Sequence, residues 1–191
     1  MGIMGTMGDY KLVKSQGDHR RLLCYQKAEV IYDLTYYFTN RYLQRSDRTI
    51  DQMIQAARSG KQNIVEGNSA IPTSIESGIK LLNVAKASLQ ELLVDYEDFL
   101  RVRGYHMWEE DSKEVAAMQR LGREHSDSTF FMNLASSRSD EVIANMSIVL
   151  IHQADTLLYK LIESISNKFL QEGGFREKLH RARVATRQQE E

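Results

Sequence analysis

The chain has 191 residues, 42% of them hydrophobic, which suits one domain with a sizeable core. Its 25 basic and 26 acidic residues nearly cancel, which excludes a global pull toward nucleic acid or anionic membrane and leaves only local patches for such partners. The single cysteine, Cys24, excludes an intrachain disulfide and a four-cysteine zinc site.

The opening MGIMGTMGDYK lacks the continuous hydrophobic segment of a signal peptide, and no apolar run approaches the ~18 residues of a membrane span. A soluble chain in a reducing cytoplasm, without a membrane partner, is expected. Residues 1–20 are set apart as a flexible N-terminal extension. One proline is far below the usual share of about 5%, and strand-like alternation is absent, so the fold is expected to be all-α.

Between Leu22 and Leu43 the apolar positions Val30, Ile31, Leu34, Tyr37, Phe38 and Tyr42 step by three and four, one stripe of an amphipathic helix. After the start signals Asp47 and Thr49, a second stripe runs through Ile50, Met53, Ile54, Ala57, Gly60 and Ile64. Gly60 falls on the buried side, where a glycine implies close approach of another helix backbone. Gly67 is expected to be the left-handed cap of this helix, with Asn68–Pro72 as loop. Pro72 should hold Ile71 extended, and Thr73–Glu76 reads as a capping box. The third helix follows Ile75, Ile79, Leu82, Leu89, Leu92, Tyr96 and Leu100, closing near Arg103-Gly104.

Residues 105–138 form a long connection containing a short helix (Val115, Met118, Leu121) behind an Asp111–Glu114 capping pair. An apolar turn follows at Phe130, Phe131 and Leu134, and the whole is expected over one end of the fold. The fourth helix starts near Ser137–Asp140 and runs to Gly173-Gly174. The sequence thus predicts an antiparallel four-helix bundle over 21–172, with 105–138 inserted between helices three and four, and a basic helical tail over 173–191.

Reactive constellations are sparse. Carboxylate-bridged di-iron bundles need two Glu-x-x-His elements, and the pattern occurs once, at Glu177–His180. His152 and Asp155 offer only two ligands. Nucleophile-elbow and phosphate-loop motifs are missing. No catalytic residue, metal or cofactor is expected. Glu91, Asp95, Glu97 and Asp98 read as a solvated face, with Glu91 half-buried and paired to a base such as Arg58.

Basic residues gather in two places: Arg176, Lys178, Arg181, Arg183 and Arg187 in the tail, and Arg41, Arg45, Arg48, Arg58 and Lys61 around helix two. Such patches can neutralise phosphates. Helix four also carries a second apolar stripe, Ile148, Ile151, Leu158 and Ile162, and helix three adds Leu81, Val84 and Leu93. Either a second copy or the 105–138 insertion must cover it, and self-association is the favoured reading.

The block IDQMIQAARSGKQNIVEGNS followed by SIESGIKLLNVAKASLQELLVDYEDFL resembles the bacterial four-helix-bundle family of the 23S rRNA-intervening sequence proteins, also labelled S23 ribosomal proteins. The matching positions are Met53, Ile54, Gln55, Ala56, Ala57, Arg58, Gly60, Asn63, Ile64, Glu66 and Gly67, then Ser88, Leu89, Glu91 and Leu92. The extended connection and GGFRE tail look like the variant called four helix bundle suffix domain protein. The resemblance implies a homopentamer, with Gly60, Asn63, Ile64, Glu66, Gly67 and Glu91 serving architecture. A related branch, accessory proteins of diversity-generating retroelements, forms basic pentamers that bind nucleic acid and a reverse transcriptase; this chain departs from it in its near-zero charge. The resulting expectation is a non-enzymatic homo-oligomeric scaffold that binds RNA or DNA through Arg58, Lys61 and the tail cations. A partner-protein adaptor without nucleic-acid affinity is the alternative.

Overall fold

Every regular element among the described residues is helical. The computed structural model describes residues 17–44 and 46–190, and the side chains of Glu172, Phe175, Arg176, Lys178, Gln189 and Glu190 also lie outside the description. Most of the expected N-terminal extension therefore falls outside it. A 3-10 turn, His19–Arg21, leads into α1 (Leu23–Tyr42), followed by α2 (Thr49–Ala70) and α3 (Ile75–Arg103). The connection holds α4 (Lys113–Glu124) and α5 (Ser128–Ser136), and the chain continues through α6 (Asp140–Glu172) and α7 (Phe175–Glu190).

Each of α1, α2, α3 and α6 packs on two of the others: α1 on α2 and α6, and α3 on α2 and α6. The registers follow from named contacts. Ser59 and Ser88 share a hydroxyl hydrogen bond of 2.9 Å while Gly67 lies against Gly78, so α2 and α3 run antiparallel. Lys86 pairs with Asp155 at 3.4 Å, and Tyr96 bonds toward Ser147, which makes α3 and α6 antiparallel as well. Between α1 and α3, Tyr96 donates to the Thr35 hydroxyl at 3.0 Å, and Phe38 packs edge-on to Phe99. Burial holds the Tyr96 phenol up at about 12, so this central bond keeps its proton at any physiological pH.

The α2–α3 turn differs from the sequence expectation. Gly67 is helical, and α2 continues to Ala70, with Ile71 still in the right-handed helical region. The reason lies across the interface: a Cβ on Gly67 would sit 3.0 Å from the Gly78 carbonyl oxygen, and one on Gly78 would sit 2.5 Å from Ile71 Cγ1. Gly67 is there for close backbone approach, not for a positive φ. The N-cap of α3 is Ser74, whose hydroxyl accepts from the Ser77 amide at 3.2 Å; Thr73 instead donates to the Ala70 carbonyl, and Glu76 pairs with Lys80. At the other end of α3, Gly104 has φ 67 and is the left-handed cap, at the point where the sequence reading closes the helix. Gly60 differs from the expected backbone contact: a Cβ there would lie 2.8 Å from Leu89 Cδ2, a side-chain atom, with the nearest backbone atom, the Ala85 carbonyl oxygen, at 3.6 Å.

The insertion does not sit over one end. Ser112 caps α4 in place of the acidic pair, the Phe130–Leu134 turn is helical as α5, and the two helices flank α6 and α1. Lys27, 3% exposed on α1, donates to the Gly122 carbonyl at 2.6 Å and fastens the end of α4 to the core. Trp108 and His106 are held by Asn145 of α6, whose side chain accepts from the Trp108 amide at 2.8 Å and donates to the His106 carbonyl at 3.0 Å.

This cover overturns the reading of the second apolar stripe as an exposed subunit surface. Ile151 and Leu158 are fully buried, Ile148 is buried and Ile162 half-buried within the single chain. The stretch Ile143–Ile151 is buried on every side, because α1 and α3 take one face and the insertion takes the other. That also accounts for Asp140–Gln171, one helix long and apolar enough to cross a membrane by length and composition, a feature the sequence reading missed. Its apolar window is 61% buried, as a core helix requires.

Candidate nucleic-acid interface

Helix α1 buries Ala28, Ile31, Leu34, Thr35 and Phe38 and therefore turns a different set outward. Tyr32, Tyr36 and Asn40 follow one another at intervals of four, with Asp33, Tyr37 and Arg41 one position on, so the outer face repeats tyrosine beside polar groups. Together with Met132 of α5 they line an open concavity of about 730 Å³. Tyr36 is 54% exposed.

Cations lie across these rings. Lys61 Nζ on α2 is 4.3 Å from the Tyr32 ring centroid, and the Arg41 guanidinium is 5.8 Å from that of Tyr37 and 5.6 Å from that of Tyr42. Arg41 Nε donates to the Tyr42 hydroxyl at 3.2 Å, which in turn donates to the Arg138 carbonyl at 2.9 Å. The Lys61–Tyr32 contact sets the register of two helices that a short connection makes antiparallel. Arg58, exposed and one turn earlier on the same face of α2, is therefore level with Tyr36. Asp33, the one carboxylate of the concavity, accepts a hydrogen bond from Ser128 and is partly engaged.

Of the basic residues singled out in the sequence, Arg58 and Lys61 thus join one face. Those of the tail do not: Arg183 and Arg187 are exposed on α7, Arg181 is exposed and engaged in an interaction, and the side chains of Arg176 and Lys178 lie outside the described residues. Tyr32, Tyr36 and Arg41 complete the face. The signal for them was present in 32-YDLTYYFTNRY-42, where tyrosines outnumber what one core stripe can bury.

The architectural motif divides. Gly60, Ile64 and Gly67 are buried, and Asn63 donates to the Ser59 carbonyl at 2.9 Å and to the Ser59 hydroxyl at 3.2 Å. Glu66 and Glu91 are exposed. Glu91 is thus not half-buried against Arg58; it lies close enough to Asp95 to repel it.

Other reactive groups are silent. Burial pushes the Cys24 thiol up to about 11, so it carries little thiolate at neutral pH. His152 is exposed beside a groove while Asp155 turns to Lys86 and Gln90. No group of three or more metal-ligating side chains occurs among the described residues. Set against known proteins, the chain matches no family model, no curated protein and no solved structure.

Proposed function

We propose that α1, α2, α3 and α6 constitute an antiparallel four-helix bundle of the intervening-sequence type. It acts as a non-enzymatic, homo-oligomeric scaffold that binds single-stranded RNA or DNA on its α1–α2 face. The observation that carries the reading is the placing of Lys61 and Arg41 over tyrosine rings beside the exposed Tyr36. Cations neutralise phosphates and tyrosine faces stack bases, and the two together are what a single strand offers contacts to. A duplex hides its base faces, so it would use only the charges. The resemblance of the α2–α3 block adds the expectation of five copies, each presenting one such face.

Fluorescence anisotropy with a labelled single-stranded RNA, titrated with salt, tests this. Arg58→Glu with Lys61→Glu should weaken binding about tenfold or more and flatten the salt slope by about two phosphate contacts. Binding of neither RNA nor DNA by the parent chain would replace the reading with that of a protein-partner adaptor.

A further inference from the structure

The α2–α3 hairpin leaves a groove of about 880 Å³ on its outer side, floored by the small pair Ser59 and Ser88 where the two backbones approach. Asp51, Glu91 and Asp95 line it, and no lining residue is basic. Asp95 is held above the ordinary carboxylate range by burial first, then by repulsion from Asp98 and Glu91. This helix face is short of a cation.

The chain carries a complementary element. Helix α7 has 16 residues and no substantial packing partner among the other described elements. Its exposed His180, Arg183 and Arg187 are spaced by three and four, so they share one side of the helix. Arg183 and Arg187 stand four residues apart, about 6 Å along an axis, which is also the separation of Glu91 and Asp95 on α3.

We propose that α7 of one copy docks in the α2–α3 groove of a second copy, with Arg183 and Arg187 against Glu91 and Asp95. The same chain cannot supply the helix. Asp155 of α6 is level with Gln90 of α3 through a 3.4 Å hydrogen bond, and α6 runs on from there toward the start of α3. Gly173 therefore lies about 27 Å along the axis from the level of Glu91, whereas the helix from Gly173 to Arg183 spans only about 15 Å. A contact between unlike surfaces on two copies repeats from subunit to subunit, so it assembles the chain without the buried stripe of α6. The inference does not depend on nucleic-acid binding.

Light scattering on the full chain tests it. The parent should give a multiple of 22.0 kDa. Glu91→Lys with Asp95→Lys should give the single-chain mass, and so should Arg183→Glu with Arg187→Glu. Mixing the two variants should restore association, in even-numbered or open assemblies because the two must alternate, since each then offers the tail or groove charge that the other needs. The milder pair Glu91→Gln and Asp95→Asn, which adds no repulsion to the fold, should raise the concentration for half-assembly by about tenfold. A monomeric parent, reversals that leave the assembly intact, or a mixture that stays monomeric would each overturn the proposal.

Discussion

Both halves of α6 carry apolar residues, mixed in the second half with Lys160, Glu163 and Lys168, and their surroundings are opposite. From Ile143 to Ile151 every residue is buried, whereas beyond Ile165 the helix carries Phe169 and Leu170 in the open, the latter 80% exposed. The difference is the insertion: α4 and the Tyr105–Trp108 segment cover the first half and stop short of the second. Whether an apolar residue on an outer helix face is covered is thus decided by chain elsewhere in the sequence.

A charge placed in each half separates them most strongly. Ile151→Asp would bury a carboxylate without a partner and should cost about 4 kcal/mol or more, abolishing the cooperative thermal transition in circular dichroism. It should unfold the chain, where a subunit-surface role would have it merely dissociate an oligomer. Next in size is the fastening of the cover. Burial lowers Lys27 from 10.5 to about 8. Between those pH values the unfolded chain holds a proton that the folded chain has lost, so stability should rise with pH across that window and be flat just below it. The rise should be on the order of 2–3 kcal/mol, and denaturant melts of Lys27→Met should show it abolished.

A smaller effect is expected where α4 meets α6. A side chain on Gly122 would collide with the Gln153 amide, which donates to the Gln119 carbonyl at 2.8 Å. Gly122→Leu should therefore cost about 1–3 kcal/mol in a urea melt and loosen the cover without unfolding the rest. Smallest is the bare half itself: Leu170→Asp should change stability by no more than about 0.5 kcal/mol. A large loss there would show that α6 is covered along its whole length.

Helix existence was legible from the three-and-four spacing of apolar residues, and Gly104 and Ser139 end and begin helices as their chemistry suggests. Gly67 was not, because a glycine before a proline fits both a left-handed cap and a close approach. The deciding partner, Gly78, lies on the next helix and has no local signature. The stripe through Ile151 and Leu158 misled for the same reason: periodicity identifies an apolar face, and only tertiary structure identifies what lies against it. In the candidate site, Arg58 and Lys61 were visible as charges. Their neighbours Tyr32 and Tyr36 were hidden among residues that equally suit a core, since exposure of a tyrosine depends on which side of α1 the other helices occupy.

The most direct test of the functional reading is photochemical. A single-stranded RNA substituted with 4-thiouridine is irradiated with the full chain, and the adducts are located by mass spectrometry. The α1–α2 face predicts cross-links at Tyr32, Tyr36 or Tyr37, lost in the Arg58→Glu, Lys61→Glu variant. Adducts confined to α7, or none at an RNA concentration that saturates binding, would contradict it.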